Sequence, residues 1–152
     1  RKRRSPPRPT TMRSRPATDN MVILNYRALI DQIYERDIPK KADFEEEAER
    51  FIRPDCLALS KTQITLRNKT YTIWYDDTCV YYGRYVPSFA TLEEDGKVDT
   101  ILFGDLVITA EKDGKPCSIE EGCPYKDLAV LKRILIRFIR DRRELAEAFL
   151  KN

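Results

Sequence analysis

The chain of 152 residues contains no histidine. That removes the side chain that most often serves as a general base near neutral pH and as a metal ligand. Glycine is scarce, with five residues, all isolated, so no glycine-rich loop is present to cradle a phosphate. The four cysteines, Cys56, Cys79, Cys117 and Cys123, include no C-x-x-C pair. A four-thiolate zinc site would need the fold to gather distant residues, and four separate thiols in a reducing compartment are expected instead. Apolar runs are only a few residues long, far short of a membrane span, and no signal-peptide h-region is present. Asp76-Asp77 are adjacent carboxylates in a strand-like context, where neighbours point to opposite faces and share no metal unless they lie in a turn. No enzyme activity, metal site or cofactor is expected from this inventory.

What is present is charge, unevenly spread. Residues 1–20 carry seven basic side chains against one acidic, residues 21–125 carry 13 against 20, and residues 126–152 carry eight against four, within an overall net charge of +3. A basic arm, an acidic body and a basic final segment speak about partners rather than fold.

The arm, RKRRSPPRPTTMRSRP, is almost free of apolar residues, and Pro6, Pro7, Pro9 and Pro16 forbid a helix. It cannot bury enough surface to offset its ordering entropy, so residues 1–17 are expected to be disordered, with residues 18–152 forming a single domain. Beyond the arm, Met21, Ile23, Leu24, Leu29, Ile30, Ile33 and Tyr34 recur at helical spacings, which predicts a first helix over 19–36. Asp43 with Glu46 three residues on predicts the cap of a second, acidic helix over 42–52.

From Leu57 to Cys117 the apolar period changes to two. TQITLRNKTYTIWYD reads as a hairpin turning at Asn68-Lys69, and CVYYGRYV reads as a strand. SFATL-EEDG-KVDTILF reads as a second hairpin, and GDLVITAEKDGKPC as a third around Asp113-Gly114. A long helix over 124–150 is predicted from the stripe Leu128, Leu131, Leu135, Phe138, Leu145 and Phe149. Arg142 interrupts that stripe, so the helix's second half is expected to dock on something other than this domain. The predicted class is α+β: two N-terminal helices, a meander of five to six antiparallel strands, flat or curled into a half-barrel, and a long C-terminal helix.

The residue types that point to a partner are the arginines. Arg1, Lys2, Arg3, Arg4, Arg8, Arg13 and Arg15 in the arm suit phosphate neutralisation with counterion release. RKRR doubles as a nuclear-import patch, and an acidic protein surface is a third reading of the same charge. The EEEAE segment of the chain is itself such a surface. On the last helix, Arg133, Arg137 and Arg140 share one face, as an ordinary solvated surface, as a second phosphate contact, or as a membrane-surface or calmodulin-type helix, the membrane version weakened by Asp141, Glu144 and Glu147.

Seven aromatics lie between Tyr71 and Phe89, but alternation sends Tyr71, Ile73 and Tyr75 to one side and Thr72 and Trp74 to the other. One side must be core, so at most half of the rings face a ligand. The expectation is a non-catalytic, nucleic-acid-associated subunit of a nucleoprotein assembly, with RNA favoured over DNA and other protein subunits on the acidic body. No membrane partner is expected. The nucleus is the expected compartment, with an organelle matrix after signal removal as the other reading. A protein–protein adaptor or dimerisation module whose tail serves only nuclear import is the alternative, and a small enzyme with an unfamiliar site the remaining one.

Overall fold

The computed structural model describes residues 19–52, 56–78, 86–121 and 128–151. The arm, the strand expected over most of 79–86, Pro54, Cys79, Cys123 and the predicted start of the last helix at 124 lie outside the described residues.

The first predicted helix is replaced by an antiparallel hairpin, β1 (Asn20–Arg27) and β2 (Gln32–Pro39), in continuous register from Asn20↔Pro39 to Arg27↔Gln32. The helical spacing is misleading for two reasons. All six residues from Met21 to Tyr26 are buried, because β1 is covered on both faces and therefore shows no alternation. Leu29 and Ile30, which complete the apparent stripe, sit exposed in the turn, at 83% and 50% of their full accessibility.

The second predicted helix exists as α1 (Phe44–Phe51), with Asp43 accepting from the Glu45 and Glu46 amides as its N-cap. Then follow β3 (Leu59–Leu66), β4 (Lys69–Asp76), β5 (Pro87–Leu92), β6 (Val98–Phe103), β7 (Leu106–Lys112), β8 (Lys115–Cys117) and the long helix α2 (Leu128–Lys151).

The strands do not form a meander. The main sheet runs β2-β1-β7-β4-β3, with β8 also paired to β7, while β5 and β6 form a separate two-stranded sheet. The described residues thus form mainly strands, eight of them, with one short and one long helix, and the predicted α+β arrangement with two N-terminal helices is incorrect. Strand β7 joins two sequence-local hairpins through Leu24↔Ile108 on one side and Ile73↔Ile108 on the other. The β3–β4 turn falls at Arg67-Asn68, one residue earlier than its sequence signal, with φ values of 52° and 69°. The β7–β8 turn uses Asp113 and Gly114 at 55° and 77°. Two consecutive positive φ values match the right-handed twist of the flanking strands.

The sheet separates two apolar layers. On one face, Met21, Ile23, Ile38, Trp74 and Val107 meet Ala48 and Ile52 beside α1. On the other, Leu24, Tyr26, Tyr71, Ile73 and Ile108 meet Phe89 and Leu102 of the small sheet and Leu131, Leu135 and Ile139 of α2. Each fully buried large side chain contributes about 1.5–3 kcal/mol in transfer terms. The inner stripe of α2 does not stop at Arg142, since Ala146 beyond it is also buried, whereas Leu145, Phe149 and Leu150 stay exposed.

Candidate phosphate-contacting face and an arginine-lined cavity

Helix α2 is fastened to the β1–β2 hairpin by polar contacts. Lys132 pairs with Glu35 at 3.2 Å, and Arg140 pairs with Asp31 at 2.7 Å while also donating to the Asp31 carbonyl. Arg143 donates to the Tyr26 hydroxyl oxygen at 2.6 Å and to the Ala28 carbonyl at 2.8 Å, and the Tyr26 hydroxyl donates to Asp31 at 2.7 Å. Burial, reinforced by the Asp31 hydrogen bond, pushes the Tyr26 phenol up to about 12 against the opposing pull of Arg143. The turn that carries Asp31 has that residue at a φ of 55°, in the left-handed region that aspartate tolerates.

Of the three helix arginines singled out in the sequence, Arg133 and Arg137 are exposed and have no ion-pair partner among the described residues. Arg140 is tied to Asp31, yet its side chain is still 48% accessible. The three lie on the outward side of α2, and Asp141 and Glu144 follow on the same exposed surface. Exposed Glu45 and Glu46 belong to α1, on the opposite face of the main sheet. The fold therefore holds its acidic helix and its basic helix on opposite sides of one sheet.

The aromatic run does not provide a stacking platform among its described members. Tyr71 and Phe89 are fully buried, Trp74 is buried, and Tyr75 is half-buried against the α2-side core. Both faces of β4 are core, rather than one as expected, because α1 covers the second. Trp74 packs on Phe44 in a tilted pair, ring centroids 4.8 Å apart and planes at 59°, and donates to the Thr109 hydroxyl at 3.1 Å.

Asp76 is a structural acceptor. Its carboxylate receives the Leu57, Ala58 and Thr78 amides and the Thr78 hydroxyl. Burial alone raises its pKa, but these donors outweigh burial and hold it below the ordinary aspartate value. Asp77 is exposed, and its amide donates to the Ala58 carbonyl. Cys56 packs on the α1 side of the sheet and Cys117 on the α2 side, so these two share no site. No group of three or more potential metal ligands occurs among the described residues, and no helix among them is long and apolar enough to cross a membrane.

Arg142, in the sequence only a break in a stripe, has a defined place in the fold. Its guanidinium lies 4.7 Å from the Phe138 ring centroid and 5.3 Å from that of Phe89, and it donates to the Ala90 carbonyl at 3.0 Å. Burial lowers its pKa from the usual arginine value. It borders an open cavity of about 370 Å³ that runs along residues 61–65 of edge strand β3 and also touches Tyr75, Thr91, Asp99 and Thr100. The sequence signal for this site is a cationic residue four positions after Phe138, at a place where the helical stripe calls for an apolar one.

No protein-family model, curated protein or solved structure matches this chain.

Proposed function

We propose that the chain is a non-catalytic, nucleic-acid-associated subunit of a nucleoprotein assembly. Its basic arm and the Arg133, Arg137 and Arg140 face of α2 contact phosphates, and its acidic body docks on other proteins. The observation that carries this reading is the placement of the α1 glutamates and the α2 arginines on opposite faces of the main sheet. Arg133 and Arg137, exposed and without an ion-pair partner among the described residues, lie on one side, and the glutamates of α1 lie on the other. An acidic body repels a polyanion, so binding requires a surface from which the acidic helix is screened, and the sheet supplies that separation. RNA is favoured over DNA because arginine-rich segments of this kind order on binding RNA. A nuclear location follows from the RKRR patch, with an organelle matrix as the alternative.

The adaptor reading draws on a different observation. Leu145, Phe149 and Leu150 leave the last turns of α2 apolar and exposed, as a protein-docking surface would be.

Fluorescence anisotropy of the full chain with single- and double-stranded RNA and DNA, across a salt series, tests the proposal. Deletion of residues 1–17 should remove most of the affinity. The double change Arg133→Gln and Arg137→Gln should lower the logarithmic salt slope by about 1–2, with unchanged thermal stability. An absence of binding at low salt overturns the reading.

A further inference from the structure

We infer that the cavity between β3, the β5–β6 sheet and α2 is a binding site for a single carboxylate group, with Arg142 as its anchor. This goes beyond the proposed function and uses a different surface.

The guanidinium of Arg142 has five N–H donors, and one of its nitrogens serves the Ala90 carbonyl. Among the described residues no carboxylate pairs with it, although the chain is rich in acidic side chains and Arg27, Arg50, Arg140 and Arg143 all have one. Two phenylalanine faces hold its plane, so its orientation is fixed before any ligand arrives. A guanidinium that is desolvated on two sides gains more from a bidentate anion than an exposed one does.

The cavity also defines the class of anion. Its volume, about 370 Å³, falls in the range of small-ligand sites, roughly 300–1,000 Å³. One fixed guanidinium matches one carboxylate. Lys61 also lines the cavity, but its ammonium lies over the Trp74 ring at 5.3 Å, on the α1 face of the sheet. Among the described residues a phosphate dianion would therefore meet one cation and the opposing charge of Asp99, which also lines the cavity. Asp99 instead suits a donor such as an amide or ammonium group on the same ligand. Thr62, Thr91 and Thr100 add short polar contacts around the space between them. The carboxylate can come from a free small acid or from the C-terminus of a peptide, because the cavity follows β3, the last strand of the sheet among the described residues, and an extended chain could lie there.

The test is an NMR titration of the full chain that follows the Arg142 Nε–H signal, identified in the unsubstituted chain by its nuclear Overhauser effects to the Phe138 and Phe89 rings. Sodium acetate, N-acetylalanine, a tetrapeptide with a free C-terminus, the same peptide amidated, inorganic phosphate and sodium chloride are added in turn at constant ionic strength. Saturable shifts with the carboxylates, absent with the amidated peptide and chloride, are expected. In Arg142→Lys, shifts of the Thr91 and Thr100 amides should require about tenfold more N-acetylalanine, since an ammonium cannot form the bidentate pair. Tighter binding of the tetrapeptide than of N-acetylalanine assigns the carboxylate to a chain terminus, and equal binding assigns it to a small acid. If the Arg142 signal does not saturate with any carboxylate, or follows chloride or phosphate equally, the inference is overturned. The titration of the unsubstituted chain is sufficient to overturn it, whatever Arg142→Lys does to folding.

Discussion

Arg143 and Tyr26 stand 117 positions apart in sequence and meet at 2.6 Å, the guanidinium donating to the phenol oxygen while the phenol donates to Asp31. The contact fastens the last helix to the first hairpin. Tyr26→Phe keeps the ring in the core but removes the acceptor for Arg143 and the donor for Asp31. A loss of about 1–3 kcal/mol in urea unfolding is expected. A larger loss is expected from Arg143→Met, which also frees the Ala28 carbonyl.

The same phenol should titrate late. Its pKa in the fold is about 12, above the value near 10 of an unfolded tyrosine. The folded state holds the proton more tightly, so this contribution to stability is complete below about pH 10. It is lost as the pH rises through about 12. Absorbance titration of tyrosinate should show a late component that disappears in Tyr26→Phe. A single transition near pH 10 for all tyrosines would contradict the buried hydrogen-bonded pair.

Asp76 gives the opposite sign. Its folded pKa lies below that of the unfolded chain, so its contribution is present above the unfolded value and is lost as pH falls through the folded one. Asp76→Asn should cost about 1–3 kcal/mol at neutral pH. Chemical denaturation at a series of pH values should show the two proteins converging in acid. A constant difference across that range would mean the carboxylate's charge is not what organises the Leu57–Ala58 and Thr78 backbone.

Trp74 is the sole tryptophan and reports on α1. Phe44 packs on it in a tilted pair, and α1 covers its face of the sheet. Phe44→Ala should cost about 1–3 kcal/mol, less than for a fully buried ring, because Phe44 is only half-buried. Emission should shift red before the circular-dichroism signal of α2 changes. Coincident shifts in both would show that α1 and α2 undock together.

The legible parts of the fold were those whose signals are local. The Asp43 cap, the Asp113-Gly114 turn and the EEDG turn each mark a nearby boundary, and the hairpins they predicted are present. The first hairpin was not legible, because β1 is buried on both faces and a continuous apolar run is compatible with a helix or a strand. Its turn deepened the ambiguity by placing Leu29 and Ile30 where polar residues are usual. Strand order was invisible for another reason. The insertion of β7 between β1 and β4 depends on pairings such as Leu24↔Ile108, which no local pattern records.

At the site, helical spacing correctly grouped Arg133, Arg137 and Arg140 on the outward side of α2. It gave no hint that Asp31 would hold Arg140, since that partner lies 109 positions away in a region expected to be helical. Arg142 was visible as an anomaly in the stripe, but the rings of Phe138 and Phe89 that give it meaning come from two different elements.

The placement of β7 has a consequence during synthesis. The β1–β2 and β3–β4 hairpins are made early and can each close alone, but the sheet contains no pairing between them. Until the ribosome has released residues 106–112, no pairing among the described strands joins the two halves, and the inner edges of β1 and β4 remain open. A nascent chain stalled before that point would present two unpaired strand edges to its neighbours and to chaperones. Completion of β7 thus closes those inner edges, while the apolar face that α2 covers stays open until residues 128–151 follow.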